Sequence, residues 1–176
     1  MRRVAVIALA ALVAAGACKK KNPTPANLNA ANKVAVRLVN LYYESPRMRL
    51  AAEPRNIPLP QSNAAAIPVV VRELIKGPAA ATSLRLFPQD TVVRGAYLLP
   101  GGTVVVDLGG PTLTEGWGTG SHQELMAVYS LVQTLTANFA DAQRVRILVN
   151  GVPAETLAGH VSLMKSFTPL SELVER

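Results

Sequence analysis

The sequence predicts an α+β domain of two layers, in which two helices pack on a mostly antiparallel sheet. Three observations predict it. Apolar residues alternate at period two in several short segments bounded by Pro, Gly and Asn. Two longer segments repeat their apolar residues at gaps of three and four. The order is strand, strand, helix, strand, strand, helix, strand, strand, and two amphipathic helices on one sheet face bury both apolar surfaces economically.

Residues 34–43 (VAVRLVNLYY) are rich in β-branched and aromatic types, with Val34, Val36 and Leu38 alternating against Ala35 and Arg37, as in a strand. A turn at Ser45 and Pro46 leads to a second short strand over 49–56, which Pro54 confines to a sheet edge or ends early. A helix follows over 63–76. Ile67, Val70, Val71, Leu74 and Ile75 share one face, and Arg72, Glu73 and Lys76 face out. Gly77 and Pro78 stop it, because glycine takes the left-handed cap and proline cannot continue a helix. Pro68 either marks the first turn of a shorter helix or kinks a longer one.

Strands over 91–99 and 103–108 flank Pro100, Gly101 and Gly102, a hairpin turn. The glycine-rich stretch 109–120 reads as a loop. Ser121 and Glu124 have the spacing of a capping box, in which serine caps an orphan N–H and glutamate reaches back to the cap residue. The helix they start runs to Asn138, with Leu125, Val128, Val132, Leu135 and Phe139 at gaps of three and four. Residues 144–149 (RVRILV) form a strand, Asn150 and Gly151 a tight turn, and 154–157 the return.

The chain opens with Arg2 and Arg3, an apolar run over 4–15, the small residues Gly16 and Ala17, and then Cys18. That is the order of a secretory signal. The run is about 12 residues, whereas a spanning helix needs about 20. Cys18 is the only cysteine, so no internal disulfide can form. A lone cysteine behind small residues resembles the lipobox of bacterial lipoproteins, although Ala15 and Gly16 stand where that box favours Leu and Ala or Ser. The resemblance implies cleavage after residue 17 and acyl chains such as palmitate on Cys18, and two or more chains hold a protein stably to a membrane. The alternative is an ordinary signal cleaved near Ala17, which leaves a free thiol.

The organisation that follows is a signal over 1–17, a tether over 18–33, one domain over 34–165 and a C-terminal tail over 166–176. The tether is polar, contains two prolines and has no apolar period, the composition of a disordered linker. The formal charge of +7 falls to about +5 without the signal. Lys19, Lys20, Lys21 and Lys33 carry much of the rest, and each suits anionic headgroups by about 1 kcal/mol near a surface. Few aromatics, no RNA- or DNA-binding motif and an exported location exclude nucleic acid as the partner. Lys19 rather than Asp follows the cysteine, so the common retention signal of inner membranes is absent. That favours an outer membrane in a host that has one.

Reactive constellations are scarce. His122 and His160 are the only histidines, and neither has a second metal-ligand type at ligating spacing. His122 reads as an exposed residue near a helix start, and His160, after Gly159, as a turn residue making a backbone hydrogen bond. There is no G-x-S-x-G elbow. Gly116, Gly118 and Gly120 precede a helix but lack the lysine of a phosphate loop. Glu53 and Arg55 read as an ion pair or turn contact on an edge strand. Trp117, the only tryptophan, is either an exposed anchor for a partner or a core residue packed from the loop.

The motifs together resemble the GerMN domain, the sporulation and spore germination domain, over about residues 34–164. They are Glu53-Pro-Arg55-Asn-Ile57-Pro58; Arg72-Glu-Leu-Ile-Lys-Gly77-Pro78; Phe87-Pro88 with Thr91; Val105-Val106-Asp107-Leu108; Glu124-Leu125 with Tyr129-Ser-Leu-Val132; Val149-Asn-Gly151; and Glu155-Thr-Leu-Ala-Gly159-His160. The resemblance implies an exported or lipid-anchored protein with a fold similar to the ring-building modules of secretion systems. It implies assembly of an envelope complex rather than catalysis, and the residues themselves point to no cofactor and no metal. The sporulation protein that names the family has two such domains, and this chain has room for one.

The expectation is therefore a membrane-anchored envelope scaffold, not an enzyme, whose partner is an envelope protein or a second copy of the chain. Trp117, Glu53 and Arg55 are the candidate partner contacts. The competing class is a peptidoglycan-binding protein or small periplasmic hydrolase, built from the neighbourhood of Asp107, Glu115, Trp117 and His160.

Overall fold

The computed structural model describes residues 34–175; the signal over 1–17, Cys18 and the tether over 18–33 lie outside the described residues. Strands β1 (Val34–Glu44) and β2 (Leu50–Pro60) form one antiparallel sheet, in unbroken register from Val34 opposite Pro60 to Glu44 opposite Leu50. Helix α1 (Asn63–Ile75) leads to strands β3 (Val92–Leu99) and β4 (Thr103–Gly109). A short helix α2 (Pro111–Glu115) and the long helix α3 (Ser121–Asn138) precede strands β5 (Arg144–Val149) and β6 (Val152–Pro153). The second sheet has the order β3-β4-β5-β6. Its β4 and β5 run parallel, as the helical crossover between them requires, and its other pairs are antiparallel.

The α+β class is as the sequence predicts, but the strands divide into two sheets rather than one. Strand β2 continues past residue 56 to Pro60, the loop over 109–120 contains α2, and the return strand lies at Val152–Pro153 rather than at 154–157. Pro68 sits inside α1, so the longer helix is the one that forms. Gly77, at φ 95°, takes the left-handed position past the helix end, and its N–H donates to Leu74 O at 3.0 Å. Asn150 and Gly151, at φ 52° and 80°, make the tight turn the sequence predicts.

The capping box does not form. Gly120 is the residue before α3, no side chain caps it, and Glu124 turns inward instead of back along the helix. A competing set of donors on the 155–161 loop takes its carboxylate, as described below.

One core joins both sheets to α1 and α3, with Leu41, Leu59, Ile67, Leu74, Val106, Leu131, Leu135 and Ile147 all buried. The period-two pattern of β1 is correct, but Val39, Leu41 and Tyr43 are its core face. Val34, Val36 and Leu38 point outward and are 61%, 68% and 66% exposed. Both alternating sets of this strand are largely apolar, so the pattern alone could not choose between its faces.

Hydrogen bonding explains how β2 tolerates three prolines. Even-numbered residues of both strands aim their main-chain groups away from the partner strand. Asn40 N–H donates to Asn138 Oδ1 at 3.0 Å, and Asn40 O accepts from Asn138 Nδ2 at 2.7 Å. Tyr42 N–H donates to Thr134 Oγ1 at 3.0 Å, and Tyr42 O accepts from Ser130 Oγ at 2.7 Å. Glu44 O accepts from Leu84 N–H, and on β2 Leu50 O accepts from Glu175 N–H, both at 2.9 Å. Pro54, Pro58 and Pro60 fall on this outward set, where a missing N–H removes no bond between β1 and β2.

Residues after 165 are bound into the fold. Phe167 exchanges two main-chain hydrogen bonds with Val145 of β5, each 2.8 Å, and Val174 bridges to Leu50 of β2. Gln133 of α3 donates to Leu170 O at 3.0 Å between these points.

Candidate functional site

The carboxylates of the domain do not converge on a cleft; each holds a loop. Glu124, with no exposed surface, accepts four main-chain N–H groups. Oε1 takes those of Leu157 (2.8 Å) and Ala158 (2.9 Å), and Oε2 takes those of His160 (2.8 Å) and Val161 (3.1 Å). Four charge-assisted bonds compensate for burying the charge and fix the loop after β6 on α3.

Asp107 at the end of β4 does the same for the Asn150–Gly151 turn. Its Oδ1 accepts from Gly151 N–H at 2.7 Å, and its Oδ2 pairs with Arg94 Nε at 3.2 Å. Asp90 accepts from Thr112 N–H at 2.8 Å and so caps the first turn of α2. That N–H holds the Asp90 carboxyl below its ordinary value. Gly110 is obligatory beside it: φ is 130°, and a Cβ would lie 2.4 Å from Asp90 O.

Glu53, Arg55 and Tyr43 gather at the C-terminal end of α1. Arg55 donates from Nε to Glu53 Oε1 at 2.6 Å and from Nη2 to Gly77 O at 2.7 Å. Its guanidinium lies 5.5 Å from the centre of the Tyr43 ring. The Tyr43 hydroxyl lies 3.0 Å from Gly77 O and 3.1 Å from Leu74 O, which share it as acceptors. Glu53 in turn accepts the N–H groups of Ala79 and Ala80, each at 3.1 Å. A cation beside the last carbonyls of a helix complements its dipole, and the glutamate fixes the chain that leaves it. Burial would raise the Glu53 carboxyl, but the N–H groups of Ala80 and Ala79 and the Arg55 guanidinium outweigh it and leave the carboxyl below its ordinary value. Burial pushes the Tyr43 phenol well above its ordinary value, against the opposing pull of Arg55.

Trp117 is half-buried and stacks on Phe87, with ring centres 6.4 Å apart and planes 20° apart. This contact packs the loop against the core, and Trp117 keeps part of its surface exposed. His160 Nε2 lies 3.0 Å from Thr119 O, the backbone contact expected of it. His122, by contrast, is more than a surface residue: its Nε2 lies 2.7 Å from Oε1 of the buried Glu44. This pair was not legible in sequence, because its members are 78 residues apart and meet only when β1 packs near the start of α3. Leu84, Arg85, Leu86 and Gln123 line the small cavity it faces, which presents no serine, threonine or cysteine as a nucleophile.

The neighbourhood proposed for a hydrolase does not assemble through direct contacts. No hydrogen bond or ion pair joins Asp107 to His160: Asp107 holds Gly151 and Arg94, whereas the His160 ring meets Thr119 O. Among the described residues, no group of three or more His, Cys, Asp or Glu could hold a metal ion, and no helix is long and apolar enough to cross a membrane.

Glu53, Arg55, Asp107 and Glu124 all lie in the motifs that resemble the GerMN domain, and residues 40–155 match the family model described as sporulation and spore germination, Germane. The chain belongs to this family. Its GerMN domain has the fold of solved relatives. A candidate lipoprotein of Clostridium perfringens shares 16% identity and a TM-score of 0.54, over 77% of this chain and 87% of that one. The tandem GerMN domains of the sporulation protein GerM from Bacillus subtilis share 19% identity and a TM-score of 0.56 over 76% of this chain. The chain spans 46% of that tandem protein. The first GerMN domain of the same protein, taken alone, shares 20% identity and a TM-score of 0.51, over 80% of this chain and 98% of that domain. No curated protein matches the sequence.

Proposed function

We propose that this chain is an exported, lipid-anchored envelope protein whose single GerMN domain works by protein–protein contact and not by catalysis. The observation that carries the contact role is the open N-terminal half of β1. Helix α3 covers the strand edge at Asn40 and Tyr42, and Leu84 covers it at Glu44. At Val34, Val36 and Leu38 the outward main-chain groups have no partner among the described residues, and the side chains beside them are exposed and apolar. An uncovered strand edge is a template for strand addition.

The opposite edge of this sheet is closed to such pairing by Pro54, Pro58 and Pro60. Strand addition is thus directed to one edge, at the point where the tether enters the domain. With Cys18 acylated, that edge would face partners held in the same membrane, where confinement raises effective concentration. The sporulation relatives support an envelope role of this kind. The loop-holding roles of Asp107, Glu124 and Glu53 support a contact module over a peptidoglycan hydrolase.

A photo-crosslinking residue placed at Val36 or Leu38 of the full chain in native membranes tests this. The expected result is a crosslink to a second copy or to one envelope protein, with none from a control at the exposed loop position Thr82. Monomer alone from all three positions would overturn the proposal.

A further inference from the structure

A second surface lies on the other sheet. Strand β3 is the edge of its sheet, with β4 on one side only. Among the described residues no loop, strand or side chain bonds to the opposite main-chain edge of 92–98. Beside the start of this edge is a groove of about 620 Å³ between β3 and the last turn of α1.

The lining is one-sided in charge. Arg72, Lys76 and Arg85 contribute three cations and no carboxylate lines the groove, while Ile75 and the exposed Val92 add apolar surface. Arg85 is already committed, donating to Ile75 O at 3.0 Å and to Lys76 O. Lys76 reaches Glu73 outside the lining. Arg72 is exposed and has no hydrogen-bond or ion-pair partner among the described residues. Arg72 and Lys76 are four residues apart on one helix face, a like-charge pair that an anion between them would relieve. Thr91, only 9% exposed, forms part of the wall, and its hydroxyl has no hydrogen-bond partner.

We propose that this groove binds an extended, acidic segment of a protein partner. The segment adds to the free edge of β3 through main-chain hydrogen bonds, sets an apolar side chain against Ile75 and Val92, and directs its carboxylates to Arg72 and Lys76. Open strand edge, apolar floor and a cluster of cations in which Arg72 has no partner among the described residues occur at one place, and each meets a different part of such a peptide. This rests on the reading of the domain as a contact module, but it uses a different strand from the β1 edge and can fail separately.

The test is selection of a displayed library of random nine-residue peptides on the full-length protein, followed by binding and amide-exchange measurements on the enriched sequences. Enriched peptides are expected to carry two or more acidic residues and to protect amides of β3 from exchange. The R72Q/K76Q variant, which neutralises both cations and gives up only the exposed Lys76–Glu73 pair, should melt within a few degrees of the parent and lose at least tenfold in affinity for them. Enrichment indifferent to acidic residues, no enrichment at all, or unchanged affinity in the variant overturns the proposal. So does loss of binding to phosphatidylglycerol vesicles as the variant's only defect, which would assign the groove to a lipid surface. Crosslinking at Val36 in the same preparation reports on the β1 edge independently.

Discussion

At the scale of single residues, the domain uses carboxylates as loop anchors. Glu124 is the clearest case: a fully buried charge tolerable only because four N–H groups converge on it. Replacing it with alanine leaves those donors without an acceptor and the loop over 155–161 without its anchor. Hydrogen bonds to charged groups contribute about 1.5–3 kcal/mol each and are not additive, so a loss of about 3–5 kcal/mol is expected for Glu124→Ala in urea unfolding. Glu124→Gln should recover part of it, because an amide keeps one accepting oxygen. The sequence singled out Glu124 but assigned it to the wrong partner. A serine three residues before a glutamate is a local signal, whereas the donors that win lie 33 to 37 residues further along the chain.

At the scale of elements, the β1–β2 hairpin shows how main-chain satisfaction shapes an exposed sheet. Three side chains of α3, Ser130, Thr134 and Asn138, imitate a third strand along half of β1. Asn138 alone supplies a donor and an acceptor to Asn40, so Asn138→Ala should cost about 1–3 kcal/mol. It should also speed amide exchange at Asn40 and Val39 more than in α1. Equal exchange throughout would mean that the contact contributes no local stability. The sequence placed strands, helices and turns nearly throughout, because each depends on periodicity or on glycine and proline geometry. It missed α2, a five-residue helix closed by Gly110 and Gly116, because so short a helix has no periodicity to read.

At the scale of the whole molecule, the two sheets are held together by the core and by the segment after residue 165. Phe167 extends the second sheet at Val145 and packs edge-on against Tyr129, with ring centres 5.8 Å apart, while Val174 reaches Leu50 in the first sheet. A chain truncated after residue 165 loses both attachments and the apolar contacts of Phe167, Leu173 and Val174. The expected cost is about 3 kcal/mol or more, read as a melting-temperature drop of several degrees, with the α+β signature of circular dichroism retained. An unchanged melting temperature would show that the segment only decorates the surface.

The sequence by itself determined the α+β class, the alternation of strands and helices, the Asn150–Gly151 turn, the stop at Gly77 and the family motifs. All of these are written in residues near one another in the chain, where periodicity and backbone sterics act. Only the tertiary structure decided that there are two sheets, that Val34, Val36 and Leu38 face solvent, and that Glu44 meets His122. It also decided that Glu53, Asp107 and Glu124 hold loops. Those outcomes depend on which main-chain donors compete for a carboxylate and which of two apolar strand faces finds a helix to cover it. Both are settled by contacts between segments far apart in sequence, which no local pattern encodes.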